Sequence, residues 1–181
     1  MHADVVGFRH QNAAGAQWRA LPGGEILGAV TQRNIEIVRQ SYEAFNNRNL
    51  DLIGNLMHPD FELDLSNSMG FDRGNYLGEG GLGRFFKSYW DAFESISIEV
   101  EEFIGSGDAI VAIIRARGRG TVSGAEVDAR GPHLWRFRDG RVIGLALYEH
   151  LDEALEAAMG AEARDATSAE RSDSVGEGKW S

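Results

Sequence analysis

Among the residues able to move a proton or hold a ligand, His133 is the best placed. It lies in the run GPHLWRFR (131–138), where side chains at two-residue steps share a face. His133, Trp135 and Phe137 fall on one side, and Arg136 and Arg138 on the other. On the aromatic side, desolvation lowers the pKa of an imidazole and favours its neutral form. A neutral imidazole near its titration point exchanges protons at pH 7. His133 is therefore expected to titrate between roughly pH 5 and 7 and is a candidate general base. Two plainer roles stand beside that one: a ligand contact in a pocket wall, and a core histidine hydrogen-bonded to a neighbour.

Other groupings carry less chemistry. Glu62 and Asp64 fall on the outward parity of FELDL (61–65) and read as a solvated face, not a paired-carboxylate centre. Arg115, Arg117 and Arg119 share one strand face, where Glu99, Glu101 or Asp128 on neighbouring strands can pair with them. GEGGLG (78–83) fits G-x-G-x-x-G, but no buried strand precedes it and Glu79 would repel phosphate, so no dinucleotide is expected. His58, His133 and His150 lack metal-ligand spacing, and neither a metal nor another cofactor is expected.

The elements that must position these residues are legible from periodicity. Thr31 is read as the cap of a helix whose apolar residues Ile35, Val38, Tyr42 and Phe45 recur at three- and four-residue steps, with NNRN (46–49) as its stop. A second short helix carries Leu52, Ile53, Leu56 and Met57 and is expected to end at His58-Pro59. The alternating run 61–65 is a half-buried strand. After a glycine-rich loop, Leu82, Phe85, Phe86, Tyr89, Trp90 and Phe93 form an aromatic stripe at helical spacing, read chiefly as core. Strands follow at 96–100, 108–119, 126–138 and 141–148, with turns at Gly105-Ser106-Gly107-Asp108 and Asp139-Gly140. On the last of them Ile143, Leu145 and Leu147 form the apolar face. Asp152 caps a final helix that Gly160 ends. Consecutive strands on short turns are antiparallel, so the class is α+β: helices on one face of a strongly curved antiparallel sheet, leaving a cone with an internal pocket.

Length and composition bound the reading further. The 181 residues suit one domain at 31–159, between a loose N-terminal arm at 1–30 and a disordered acidic tail at 160–181. With 18 basic against 28 acidic side chains, the net charge of −10 argues against nucleic acid and against an anionic membrane as partners. The absence of cysteine excludes disulfides, thiolate metal sites and a cysteine nucleophile. No apolar run approaches the ~18 residues of a membrane span, and the first residues do not read as a signal peptide. A cytoplasmic location is expected.

Three segments together resemble the SnoaL-like branch of the nuclear transport factor 2-like superfamily: NIEIVRQSYEAFNNRNLDLIGNLMHPDFELDL, YLGEGGLGRFFKSYWDAF and HLWRFRDGRVIGLALYEHLDEALEAA. The resemblance covers roughly 31–159. It implies a cone-shaped, cystatin-like roll with three helices packed on the curved sheet, and a homodimer that covers apolar strand faces. The fold hosts both enzymes and binding domains. The ketosteroid isomerases of this superfamily use a tyrosine on the first helix, which Tyr42 matches. Their aspartate base falls here on Leu65, and their carboxylic acid on His133. The polyketide cyclases keep a pocket histidine, matched by His133, and an aspartate on the last strand, replaced here by Leu147. The epoxide hydrolases need Arg-x-Asp and that same aspartate, where this chain has Arg115-Ala116-Arg117 and Leu147. No established catalytic set is complete.

What the resemblance implies is a pocket for a small hydrophobic molecule, lined by Leu65, Tyr89, Trp90, Trp135, Leu145 and Leu147. Two functions fit it. One is an isomerase, cyclase or dehydratase acting on a hydrophobic carbonyl compound, with His133 as base and Tyr42 donating a hydrogen bond to the carbonyl or its enolate. The other is a non-catalytic ligand-binding or dimerisation module.

Overall fold

The computed structural model describes residues 10–11, 16–19, 29–67 and 75–160. Two short strands, β1 (His10–Gln11) and β2 (Gln17–Arg19), precede α1 (Ala29–Asn46), α2 (Leu50–Leu56), β3 (Met57–Asp64), β4 (Asn75–Leu77) and α3 (Gly78–Ala92). The long strands β5 (Phe93–Ser106), β6 (Ala109–Gly120), β7 (Glu126–Arg138) and β8 (Arg141–Leu147) follow. Residues 151–160 then form the last described helix, α4. The strands make one eight-stranded sheet in the order β1-β2-β5-β6-β7-β8-β3-β4. Its centre, β5 to β8, is antiparallel, as consecutive strands on short turns require, but β2 runs parallel to β5 and β3 parallel to β8.

The class is α+β with a curved mixed sheet, so the expectation of a wholly antiparallel sheet is corrected at its two flanks. The three packed helices expected become four among the described residues, because α4 packs on the outer face of the sheet. The segment expected to be a loose arm contributes β1 and β2, and Trp18 is buried beside Phe103. The expected acidic tail at 160–181 lies, apart from Gly160, outside the described residues.

Several local readings change for identifiable reasons. α1 begins at Ala29, so Thr31 is not its cap; its hydroxyl accepts from the Gly107 amide (3.0 Å) and ties the helix to the β5–β6 turn. Asn34 donates to the Gly107 carbonyl (2.8 Å) beside it. α2 ends at Leu56, and His58-Pro59 already belongs to β3, at an irregularity in its pairing with β8 where proline is tolerated. The glycine-rich run forms the start of α3 instead of a loop. A Cβ at Gly81 would lie 3.3 Å from the Tyr76 backbone, so a residue without one lets α3 press against β4. The stop at NNRN holds: Arg48 takes a positive φ of 53°, and the Asn49 side chain caps α2 by accepting from Leu52.

Side-chain alternation divides the sheet into two cores. Along β6, Ile110, Ala112, Ile114 and Ala116 face the helices α1 to α3 together with Phe103, Trp135 and Phe137. Ala109, Val111 and Ile113 face outward with Ile104, Leu134 and Ala146, and α4 covers them with Ala154 and Ala158. Past Ile113 the outward positions become Arg115, Arg117 and Arg119. On β8 the expected apolar face Ile143, Leu145, Leu147 is altered by a bulge: Arg136 pairs with Gly144 but Phe137 pairs with Val142. Skipping Ile143 shifts the parity, so Val142 joins Leu145 and Leu147 on the inner side.

Candidate functional site

The helices and the sheet enclose a cavity of about 830 Å³. α1 brings Tyr42 and Phe45 to it, α2 brings Ile53, and α3 brings Leu82, Phe85, Phe86 and Tyr89. On the sheet side, Phe61, Leu63 and Leu65 reach it at the two-residue period of β3 and its end. Trp135 and His133 come from β7, and Leu145 and Leu147 from β8. Exposed lining residues Ala129, Arg130, Glu149 and His150 mark the rim. There the Arg130 guanidinium is paired with Glu101 (2.6 Å).

Three of the polar side chains on the cavity wall are joined. Trp135 Nε1 donates to Tyr42 Oη at 3.1 Å, and Tyr42 Oη lies 2.8 Å from His133 Nδ1. The Tyr42 and Trp135 rings meet edge to face at 5.3 Å, an arrangement favoured by the aromatic quadrupole. Ser41 also lines the cavity, but its hydroxyl donates to the Ile37 carbonyl (2.8 Å) within α1.

Burial governs the electrostatics. His133 is half-buried, and what it exposes faces the cavity. Burial pushes its imidazole down to about 4, with no charged neighbour contributing. The expected titration between pH 5 and 7 is therefore corrected: the apolar surroundings are more complete than strand parity alone implies. Across the sheet His133 pairs with Ala112 on β6 and Leu147 on β8. Leu147, at the position where the resemblance calls for an aspartate, thus stands directly opposite the histidine. Burial raises the Tyr42 hydroxyl well above its ordinary range, which keeps it protonated.

Of the residues expected at the pocket, Leu65, Tyr89, Trp135, Leu145 and Leu147 lie on the cavity wall together with Tyr42 and His133. Trp90 does not. It stacks on Phe86 at 5.3 Å and packs against Phe45 at 5.7 Å, and those two rings line the cavity in its place. The wall residues Phe61 and Leu63 were readable from the alternation that also marked Leu65. The rim segment 148–150 carried no such signal. Glu62 accepts from Asn75 (2.9 Å), and Asp64 accepts from the Ser66 amide (2.9 Å), so each works in a local turn or strand pairing. Arg115 grips Asp128 through two 2.7 Å bonds, and Arg117 meets Glu99 at 3.1 Å, on the outward face of the sheet. Among the described residues no cluster of His, Asp and Glu is arranged to hold a metal ion, and no helix is long and apolar enough to cross a membrane.

A curved sheet closed by three helices over an apolar cavity defines a class of small cone-shaped α+β domains with an internal cavity. The sequence profile of the SnoaL-like domain matches residues 38–145, and the chain belongs to that family. TerC, crystallised with polyporic acid, is 26% identical, with 68% of this chain and 98% of TerC covered and a TM-score of 0.59. An NTF2-like protein of unknown function from Burkholderia pseudomallei K96243 is also 26% identical, covering 70% and 97% of the two chains at a TM-score of 0.60. A Mycobacterium tuberculosis protein in complex with estradiol-17beta-hemisuccinate is 19% identical, covering 66% and 95% at a TM-score of 0.57, a likeness of fold alone. No curated protein matches the chain.

Proposed function

We propose that this protein binds a small hydrophobic molecule inside the cone, as a receptor or carrier. One observation carries the reading: a cavity of about 830 Å³ is walled mainly by aromatic and aliphatic side chains from α1, α2, α3 and the sheet, with the hydrogen-bonded chain Trp135–Tyr42–His133 in its wall. Cavities of this size and lining bury most of the surface of a drug-sized ligand. TerC, 26% identical and crystallised with polyporic acid, supports a ligand of that kind. The test is titration with the neutral probe N-phenyl-1-naphthylamine. Its fluorescence is expected to rise on binding, and Leu147→Trp, which fills the cavity, should weaken binding by at least tenfold. Equal binding to both proteins would place the probe elsewhere and remove the support for this reading.

A second reading, isomerase, cyclase or dehydratase activity on a carbonyl compound, rests on the 2.8 Å contact of Tyr42 with His133 in the cavity wall. Two features weigh against it. An imidazole held near 4 is a weak base at neutral pH, and Leu147 supplies no carboxylate to stabilise its protonated form. We further propose a cytoplasmic homodimer as the working form. Its second copy would meet the outward charged strip of β5 to β7, since α4 already occupies the apolar one.

A further inference from the structure

We infer that Trp135 sets the proton order of the buried chain Trp135–Tyr42–His133, so that His133 presents a fixed hydrogen-bond donor, Nε2–H, to the cavity and selects an apolar ligand carrying a neutral acceptor such as a carbonyl. This rests on the cavity being the binding site and adds the class of ligand it takes.

Direction follows from what each group is able to do. An indole nitrogen only donates, so the 3.1 Å contact obliges Tyr42 Oη to accept. The phenolic proton then needs an acceptor, and among the described residues the polar atom bonded to Tyr42 besides the indole is His133 Nδ1, at 2.8 Å. If Nδ1 carried the ring proton, two N–H groups would aim at one phenol oxygen, and the phenolic O–H would be left without an acceptor in an apolar wall. The order with every donor matched is Trp135 N–H to Tyr42 oxygen, then Tyr42 O–H to His133 Nδ1. A neutral imidazole has one N–H, so it sits on Nε2.

Nothing on the neighbouring strands takes that proton up. The residues paired with His133 are Ala112 and Leu147, and the hydrogen bond described for the ring is the one at Nδ1. A carboxylate at position 147 would compete for an imidazole N–H. Leucine there leaves the donor to whatever fills the cavity. The same order withholds the lone pair that a general base needs, because the nitrogen that has one is occupied by Tyr42. Trp135 is thus a positioning residue that acts through Tyr42.

Two arms test this. Long-range nitrogen–proton correlation NMR of the full, ligand-free chain at pH 7 is expected to show His133 as the Nε2–H tautomer, and Trp135→Phe should introduce the Nδ1–H form. A wild-type ring already protonated at Nδ1 overturns the inference without any variant. In the second arm, 9-fluorenone and fluorene, two rigid tricycles differing in one carbonyl, are titrated in parallel. Fluorenone should bind roughly three- to tenfold more tightly, the range for one added hydrogen bond, and His133→Phe should abolish the preference. Binding of both with no preference leaves the cavity as a binding site and defeats the selection of an acceptor. Binding of neither defeats the cavity reading, and the ligand class falls with it; the tautomer is still decided by the first arm.

Discussion

At His133 the protein holds an imidazole far from the conditions of water, and its stability should record this. Burial lowers the folded-state pKa to about 4, below the ordinary 6.5. Between those values the unfolded chain takes up a proton that the folded chain refuses. The contribution is therefore fully present above about pH 6.5 and is lost as the pH falls toward 4. Urea unfolding at pH 7 and pH 4.5 should show wild type losing about 2 kcal/mol more than His133→Phe over that interval. Equal losses would mean that the ring is hydrated in the folded state. The face shared by His133, Trp135 and Phe137 was legible, because strand alternation is a local rule. The partnership with Tyr42 was not a matter of local pattern: 91 positions separate the two residues, and their 2.8 Å contact exists because α1 packs across the inner face of the sheet over β5 and β6 and the tyrosine reaches β7 from there.

Elements show where local rules meet competition. The four long strands and the Asp139-Gly140 turn were readable, the latter because both residues accept positive φ, here 51° and 70°. Starts of elements were less so. Glycine-rich residues became helix at the start of α3 because Leu82, Phe85 and Phe86 gain more by packing than the glycines lose. The bulge at Ile143 changed which face of β8 turns inward, a shift that a period-two pattern does not announce. Helix α4 had an ordinary amphipathic signature, but nothing local assigned it to the outer side of the sheet. Its docking rests on Ala154 and Ala158, both fully buried against the outward cluster. Ala158→Asp should cost at least ~2 kcal/mol in thermal or urea unfolding by burying an unpaired carboxylate, while Glu156→Ala on the exposed side should change stability by less than ~0.5 kcal/mol. If Ala158→Asp is equally harmless, α4 is not a closed part of the fold.

Over the whole molecule, the proposed ligand cavity and the proposed dimer strip lie on the two faces of one sheet. The concave face holds the cavity, and the convex face is divided between the strip under α4 and the strip of paired charges. The Arg115 and Arg117 pairs on that strip are exposed and screened by solvent and lie on the face away from the cavity, so Arg117→Ala should alter probe binding less than twofold. A homodimer formed through this strip should dissociate near 1 M salt, where the screening length is about 3 Å. Sedimentation showing a monomer at low salt and high protein concentration would refute it, and a dimer insensitive to salt would place the interface elsewhere. Fold class, the order of the long strands along the chain, the outward arginines and the inward face of His133 followed from periodicity and residue type, because helix and strand spacing act over a few neighbouring residues. The cavity itself, the retreat of Trp90 behind Phe86, the stand of Leu147 opposite His133 and the direction of the buried proton chain emerged only when distant segments packed. Each depends on distances between residues that no local spacing encodes.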